Sequence, residues 1–342
     1  MGVLLTPLIQ KREMTLEELR GKSFAVDGFI VLHEFLALIR DRSGRPLTDE
    51  HGNVTSHLVG LAFRTTKLIS DYDMDLVFVF DGKPPALKRE ELVSRREARQ
   101  KAETEYREAV ERGDLQEAFS KAVMTGRLTK QGLDDAKHLL ELLGIPWVQA
   151  PSEGEAQAAY MAQQGDVWAS NSKDYDSLLF GTPRLVRFLS ISSQEWLPIK
   201  GMVRRVLPEL IQLDKFLSYH GITLEQLIDM GILIGTDFNT GVKGIGPKTA
   251  LKLIRKHRKL ENLPNDIKEK LPNTIEQIRD LYINPKVTSQ YNTTRGKLQE
   301  DALYNFLCGE RNFSTRRVQT VIYRMRNRKT QKSLKDYFGG TT

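Results

Sequence analysis

Acidic residues follow three apolar runs of this sequence, at positions where buried strands are expected to end. The runs cover residues 24–27, 76–81 and 167–170, and the third leads into Asp174 and Asp176. In an open α/β sheet, ligands bind outside the carboxyl ends of the strands, so acids delivered there converge on one site. With the acids of residues 152–155 and one further aspartate, the candidate metal ligands are Asp27, Asp81, Glu153, Glu155, Asp174, Asp176 and Asp237.

Carboxylates crowded together in this way repel one another unless cations neutralise them. Hard divalent ions prefer oxygen ligands, and Mg²⁺ keeps several waters while it uses few carboxylates per ion. The size of the cluster therefore predicts two Mg²⁺ ions with shared and water-mediated ligands, and Mn²⁺ is a reasonable substitute. Such a site is suited to metal-dependent phosphoryl transfer.

Two of these acidic motifs also have other interpretations. Ser152 followed by Glu155 matches the pattern of a helix N-capping box. Asp174 and Asp176 are two residues apart, so their carboxylates would point the same way from an extended backbone. An apolar strand followed by Asp-x-Asp also resembles the start of the haloacid-dehalogenase-type phosphatases, in which the first Asp is a nucleophile. That fold needs fewer acids and places the motif early in its domain, which favours the metal cluster.

The charge balance indicates the class of molecule that carries the phosphate. The chain has 51 Lys and Arg against 44 Asp and Glu, a net charge of +7 and a pI near 9.3. Because many acids belong to the metal site, the remaining surface is more basic than the total, which favours nucleic acid over a membrane as the partner. Cys308 is the single cysteine, so an internal disulfide is excluded and an intracellular, cytoplasmic protein is expected. No apolar run approaches membrane-spanning length.

The elements that position the acids divide the chain into five segments. Residues 1–85 alternate helical and strand patterns in the βαβ manner, and residues 131–213 form a second α/β stretch. Residues 86–130 are dense in charge and are predicted to form helices that stand away from the core. Residues 214–325 are nearly all helical, and residues 326–342 form a basic tail. These patterns predict an α/β fold.

The most specific local string is Gly-Val-Lys-Gly-Ile-Gly-Pro-Lys-Thr-Ala at residues 241–250. It nearly imitates a phosphate-binding P-loop, but Pro247 separates the second glycine from Lys248 and the spacing fails. Proline at the first position of a helix after a glycine turn instead predicts a helix-hairpin-helix. The turn at Gly244 and Gly246 and the following helix N-terminus would hold a backbone phosphate without reading a base, and Lys248 adds charge. An ordinary helix-helix turn is the alternative.

A second group of cations lies in the charged segment. Lys88, Arg95 and Arg99 are spaced to share one face of a helix. On spacing alone such a stripe is solvated surface. The segment begins a few residues after Asp81, however, so these cations could clamp the scissile phosphate beside the metal site.

Six motifs in order along the chain resemble those of the flap endonuclease family, structure-specific 5′ nucleases, in its archaeal type. They are Asp27 after a buried strand and the strings at residues 79–85, 150–156, 173–181, 233–238 and 244–248. The resemblance covers essentially the whole chain. It implies a central, mostly parallel sheet between helical layers, with a helical arch over the active site and a helix-hairpin-helix on one flank.

The resemblance also implies roles for individual residues. The first metal would bind Asp27, Asp81, Glu153 and Glu155, and the second Asp174, Asp176 and Asp237. Lys88 and Arg95 match the catalytic basic pair at the foot of the arch. The residues that match substrate contacts are Arg40, Arg64, Glu153, Gly235 and Asp237. The hairpin is a further candidate cation site, for K⁺.

One position departs from the family pattern. A tyrosine usually stands six residues after the first Asp and stacks on a base near the scissile bond, and here His33 replaces it. Imidazole offers less stacking area, so placement of the cleaved nucleotide would be looser or compensated by Phe29 or Phe35. A packed or surface histidine is the alternative.

The basic tail carries a second resemblance, to the clamp-interaction peptide of replication proteins. The residues that match are Gln331, Leu334, Tyr337 and Phe338. The three apolar side chains are spaced to form a single 3₁₀ turn that plugs an apolar pocket, so a sliding clamp is the expected protein partner.

Two functions of different class follow. The first is an endonuclease that releases a 5′ flap from branched double-stranded DNA, with additional 5′-3′ exonuclease activity, and that acts as a monomer in replication and repair at the nucleoid. The second is a catalytically silent junction-binding scaffold tethered to the clamp. A scaffold needs neither the seven carboxylates nor Lys88 and Arg95, so the sequence favours the enzyme.

Overall fold

The computed structural model describes residues 2–41, 45–112, 128–190, 193–197 and 202–327. The arch residues 113–127 and the clamp-peptide residues Gln331, Leu334, Tyr337 and Phe338 lie outside the described residues, and the predictions made for them stand as predictions.

A seven-stranded sheet forms the centre of the molecule, in the order β1-β9-β6-β5-β2-β3-β4, and β7 and β8 form a separate two-stranded hairpin. The strands are β1 (Arg12–Glu13), β2 (Ser23–Asp27), β3 (Asp75–Phe80), β4 (Trp147–Gln149), β5 (Ala169–Asn171), β6 (Arg184–Arg187), β7 (Ser193–Leu197), β8 (Met202–Val206) and β9 (Glu209–Gln212).

The sheet is mostly parallel. Strands β6, β5, β2, β3 and β4 are parallel to one another, and β9 runs antiparallel to both of its neighbours, β6 and β1. The chain passes from β2 to β3 on one side and returns to β5 on the other side of β2. The point where strand order reverses is where α/β sheets open a ligand crevice, so β2 and its neighbours frame the site.

Helices surround this sheet. They are α1 (Gly28–Leu38), α2 (Ser56–Val59), α3 (Thr66–Tyr72), α4 (Arg89–Glu111), α5 (Lys130–Leu142), α6 (Gly154–Gln164), α7 (Asp176–Leu179), α8 (Leu213–His220), α9 (Leu224–Ile234), α10 (Pro247–His257), α11 (Asn265–Lys268), α12 (Ile275–Ile283), α13 (Glu300–Tyr304) and α14 (Thr315–Arg326). A π-helical turn, Gly60–Thr65, joins α2 to α3, and a 3₁₀ turn, Ala86–Lys88, precedes α4. None of the helices in the described residues combines the length and the apolar content needed to cross a membrane.

Alternate residues of the central strands face two different apolar layers, as the period of two in a strand requires. In β2, Phe24 and Val26 join the core beneath α1, α5 and the C-terminal helices, whereas Ala25 faces α6. In β3, Phe78 packs in the same layer as Phe24 and Val26, and Val79 packs in the same layer as Ala25. Burial on both faces explains the near-continuous apolar runs in the sequence. The predicted central sheet between helical layers is confirmed.

Local details differ from two expectations. The helix after Pro151 begins at Gly154 with Glu153 as its N-cap, and the hydroxyl of Ser152 donates to the carbonyl of Lys83 instead (3.3 Å), so the capping box is wrong. Tyr175 has helical backbone angles and Asp176 starts α7, so an extended backbone does not align Asp174 with Asp176. At Ser152, a partner distant in the sequence outweighs the local pattern.

Candidate active site

The first two acids stand at the carboxyl ends of the neighbouring strands β2 and β3. Asp27 ends β2, caps α1, and accepts a hydrogen bond from the backbone N–H of Ile30 (2.9 Å). Asp81 follows β3 and accepts one from the backbone N–H of Gly154, the first residue of α6 (2.6 Å). Backbone donors at helix N-termini favour negative charge, so both helices fix a carboxylate at this edge.

Two loops meet closely beside Asp81. The N–H of Gly82 donates to the carbonyl of Ser152 (2.7 Å), and a Cβ at Gly82 would lie 2.1 Å from the carbonyl oxygen of Ala150. Glycine is therefore required where the loop after β3 crosses the loop after β4. This crossing brings Glu153 and the start of α6 alongside Asp81.

The remaining acids come from α6 and from the loop after β5. Glu155 lies in the first turn of α6 and accepts hydrogen bonds from the hydroxyls of Ser172 (2.7 Å) and Ser177 (3.1 Å). These serines flank Asp174 and Asp176, so the loop is tied to Glu155. Asp176 accepts a hydrogen bond from the backbone N–H of Val3 (2.7 Å), although the two residues are 173 positions apart.

Burial and mutual repulsion raise the pKa of several of these acids. Burial, followed by the charge of Asp81, raises the pKa of Asp27 well above its usual range. Burial and the charge of Asp176 do the same for Glu155. Burial and Asp237 raise the pKa of Asp176 to about 7. The cluster therefore has a deficit of positive charge.

An all-oxygen, electron-rich donor set of this kind fits hard divalent cations such as Mg²⁺. Within the described part of the chain, however, no three Asp, Glu, His or Cys side chains are already gathered as ligands around one point. The acids share one edge of the sheet, and the finer assignment of each to a metal remains a prediction.

Lys88 and Arg95 reach the same acids from the foot of α4. Lys88 Nζ forms an ion pair with Glu153 and lies 3.2 Å from Asp237 Oδ2, and Arg95 Nη2 lies 3.0 Å from the same oxygen. Burial alone would lower the pKa of Lys88, but Glu153 and Asp237 outweigh it and raise the pKa above its usual range. Burial raises the pKa of Asp237, yet Lys88 and Arg95 reverse this and lower it. The two cations predicted from spacing therefore converge on the carboxylate cluster.

The hairpin lies between α9 and α10. Gly235 ends α9 with a positive φ of 111°, and Asp237 follows it, so the last acid and the hairpin share one connection. Gly244 has φ of 88°, which favours glycine, and Gly246 is the N-cap of α10 with Pro247 as its first residue. Gly244, Gly246 and Lys248 are exposed. The predicted proline-led helix after a glycine turn is thus present.

The other substrate-contact candidates lie on or next to α1 and on the turn after α2. Arg64 lies on the π-helical turn and Arg40 just beyond α1, and burial lowers the pKa of both. His33 is half-buried on α1, near His57 on α2, whose pKa is lowered to about 4 mainly by burial, with a small contribution from His33. Stacking on a base and packing between helices both remain open for His33.

The sequence did not indicate several groups that hold the site. Ser172 and Ser177 could have been suspected, because they bracket the Asp-Tyr-Asp motif. The N–H groups of Val3 and Gly154 left no signal, since a backbone donor is present at every residue except proline.

Family models match the two parts of the chain that supply all seven candidate acids. The XPG N-terminal domain matches residues 1–102, and the XPG I-region matches residues 144–237. Together with the sheet and its acidic edge, these matches define the class as nucleases of the XPG type.

Full-length comparisons narrow the class. The chain is 45% identical over 331 residues to flap endonuclease 1 of Pyrococcus horikoshii, covering 95% of this chain and 94% of that protein. It is 44% identical over 348 residues to flap endonuclease 1 of Hyperthermus butylicus, covering 99% and 97%. The solved structure of flap endonuclease-1 from Methanococcus jannaschii matches with a TM-score of 0.76 and 38% identity, covering 97% of this chain and 100% of that one. This chain belongs to the flap endonuclease family.

Proposed function

We propose that the chain is a structure-specific endonuclease that hydrolyses a phosphodiester in branched DNA and releases a 5′ flap, with associated 5′-3′ exonuclease activity, in replication and repair. The observation that carries this proposal is the convergence of Lys88 and Arg95 on the buried acids at the carboxyl edge of the sheet. A junction-binding scaffold would not need buried acids with raised pKa values, which cost stability when no cation neutralises them.

The residues proposed to hold two Mg²⁺ ions, or Mn²⁺ in their place, are Asp27, Asp81, Glu153 and Glu155 for the first and Asp174, Asp176 and Asp237 for the second. Bound ions would supply an activated water and would stabilise charge on the scissile phosphate. The protein contributes the alignment of the carboxylates, because N–H groups and hydroxyls hold one oxygen of Asp27, Asp81, Glu155 and Asp176 in place.

Lys88 and Arg95 supply mobile positive charge in this mechanism. In the protein alone, both cations pair with Asp237, and Lys88 also pairs with Glu153. Lys88 and Arg95 would be free to contact the scissile phosphate if bound cations neutralised Glu153 and Asp237 in their place. They would then stabilise the charge that develops there in the transition state.

The proposed substrate contacts form two groups, one at the hairpin and one near the bond that is cleaved. Gly244, Gly246 and Lys248 grip the backbone of duplex DNA at the hairpin, where K⁺ is a further candidate ligand. Arg40, Arg64, Gly235 and His33 contact the strands nearer the cleaved bond. The tail residues Gln331, Leu334, Tyr337 and Phe338 bind a sliding clamp, and the protein acts as a monomer in the cytoplasm, at the nucleoid.

A double-flap DNA labelled at the 5′ end tests this function. We expect the protein to release the flap when Mg²⁺ is present and to bind the same DNA without cleaving it when Mg²⁺ is removed with EDTA. Binding of the junction without cleavage at any Mg²⁺ or Mn²⁺ concentration would overturn the enzyme and leave the scaffold. A linear duplex of the same sequence serves as the control for structure specificity.

A further inference from the structure

Arg187, which ends β6, grips the loop that carries two of the proposed metal ligands. We call residues 173–176 the acid loop. Arg187 Nε donates a hydrogen bond to the backbone carbonyl of Lys173 (2.8 Å), and Arg187 Nη1 donates one to the hydroxyl of Tyr175 (2.7 Å). The two acceptors lie on either side of Asp174, so one guanidinium fastens both of its neighbours.

Two aromatic rings lie close to the guanidinium of Arg187. Its central carbon lies 4.2 Å from the ring centroid of Tyr175 and 4.6 Å from that of Phe188. Phe188 has φ of 60°, a left-handed conformation that is uncommon for an aromatic residue, directly after Arg187. Glu209 on the adjacent strand β9 accepts a further bond from Arg187 Nη1 (3.0 Å) and pairs with Lys11. Only 13% of the Arg187 side chain is exposed.

The N-terminal segment fastens the same loop from another direction. The hydroxyl of Thr6 donates to the hydroxyl of Tyr175 (3.3 Å), and the N–H of Val3 donates to Asp176. Val3 and Leu5 are buried in the apolar core, which anchors the segment. Tyr175 therefore links Arg187 and the N-terminal segment to the two carboxylates that flank it.

We propose that Arg187, acting through Tyr175, is a positioning residue. It holds Asp174 and Asp176, the proposed ligands of the second metal, in place. Repulsion among unneutralised acids would push the acid loop away from the cluster, and the loop has no strand pairing to resist this. A planar guanidinium on a strand, close to two aromatic rings and bonded to three acceptors, supplies that resistance. Removal of a group that orients a metal ligand in this way typically lowers metal affinity by about 10–100-fold.

The role needs a test that a merely stabilising residue would not pass. Arg184 on the same strand is a matched control, because its guanidinium also stacks on a ring, that of Trp168 (5.5 Å), and donates to a backbone carbonyl (3.1 Å). Arg187→Met and Arg184→Met would be compared for Mn²⁺ binding to the protein without DNA, by electron paramagnetic resonance, and for melting temperature.

We expect both variants to melt at a lower temperature, but only Arg187→Met to bind the more weakly held Mn²⁺ about tenfold less tightly. On flap DNA, Arg187→Met should lower kcat at low Mg²⁺, regain much of it at high Mg²⁺, and leave KM for the DNA unchanged. Tyr175→Phe keeps the packed ring and removes the hydroxyl, so it should shift Mn²⁺ binding in the same direction by a smaller factor.

Equal Mn²⁺ affinity in Arg187→Met, Tyr175→Phe and Arg184→Met would overturn the proposal, and Tyr175→Phe decides the matter if Arg187→Met does not fold. The activity measurements rest on the proposed cleavage activity, whereas the Mn²⁺ titration rests only on the proposed assignment of Asp174 and Asp176 as metal ligands. Failure of the wild-type protein to cleave flaps would therefore count against the function, whereas unchanged Mn²⁺ binding would count against the role of Arg187.

Discussion

The acidic edge of the sheet and the hairpin between α9 and α10 are both proposed to contact phosphate, yet their charged groups have opposite surroundings. At the edge, Asp27 and Asp176 are buried and Glu155 is half-buried, and their pKa values are raised by burial and by neighbouring acids. At the hairpin, Lys248 is exposed beside the exposed glycines Gly244 and Gly246.

The difference reflects what each region is proposed to do. Chemistry at a phosphate benefits from low dielectric and fixed groups, and the protein accepts destabilised acids to obtain them. Holding a DNA backbone needs only charge and exposed donors, which cost little to solvate. Changes at the edge should therefore alter rate, and changes at the hairpin should alter affinity and salt dependence.

The largest effect is expected for Asp176→Ala. It removes a proposed metal ligand without touching a phosphate grip, so the single-turnover rate should fall by at least on the order of 10³ while flap binding stays nearly intact. Quench-flow cleavage and a filter-binding titration with labelled flap DNA would measure the two quantities. A tenth of the wild-type rate in the variant would rule out the two-metal assignment.

The next effect concerns Lys88→Ala and Arg95→Ala. Contacts made only in the transition state affect the chemical step more than affinity, so each variant should lose on the order of 10²-fold in single-turnover rate with little change in Kd. Lys101→Ala removes an exposed cation of the same helix and is the control. Lost affinity at an unchanged rate would mean that these cations belong with the hairpin, as electrostatic surface.

The raised pKa values at the acidic edge also predict that the stability of the protein without metal depends on pH. The pKa of Asp176 is about 7 in the folded protein and lower in the unfolded chain, so ionisation of the unfolded chain favours unfolding as pH rises from about 4 to 7. Asp176→Asn removes this penalty. The variant should match wild type near pH 4 and exceed it by on the order of a few kcal/mol at pH 8.

Thermal melts of both proteins in EDTA at several pH values would measure this gain. Asp266→Asn, which changes an exposed acid on α11, should show no such growth with pH. If Asp176→Asn already shows its full gain in stability over wild type at pH 4, the gain would come from burial of the carboxyl group and not from its ionisation.

The His33 variants test how far the reacting region extends. If the imidazole stacks on a base, His33→Ala should slow single-turnover cleavage roughly tenfold, and His33→Tyr should match or exceed wild type, because a base–ring stack is worth about 1–3 kcal/mol. If His33 only packs between helices, the His33→Ala variant should melt at a lower temperature and cleave at the wild-type rate. Rate and melting temperature measured together separate the two roles.

The smallest expected effect belongs to Lys248→Ala. The variant should bind duplex DNA a few-fold more weakly, and the slope of log affinity against log salt should fall by about one unit, with the rate at saturating DNA unchanged. Lys215→Ala removes the same charge from α8, outside the hairpin, as a control. An unchanged slope would indicate an ordinary helix-helix turn at this position.

Sequence patterns predicted the elements well where the period of the backbone carries the information. The buried strands β2 and β3 were evident because alternate residues face two apolar layers, and α10 because a proline follows a glycine turn. The helix cap at Glu153 was missed, since the hydroxyl of Ser152 found a partner in Lys83, which is distant in sequence.

By itself, the sequence determined which chemical groups the protein has and the order in which the strands and helices deliver them. Acids at strand ends, cations spaced along α4 and a glycine turn before a proline are local patterns, and local geometry is nearly the same in every protein. Tertiary structure alone decided which atoms meet. The contacts of Val3 with Asp176 and of Arg187 with Tyr175 depend on how distant segments pack, and packing depends on the whole core rather than on neighbouring residues.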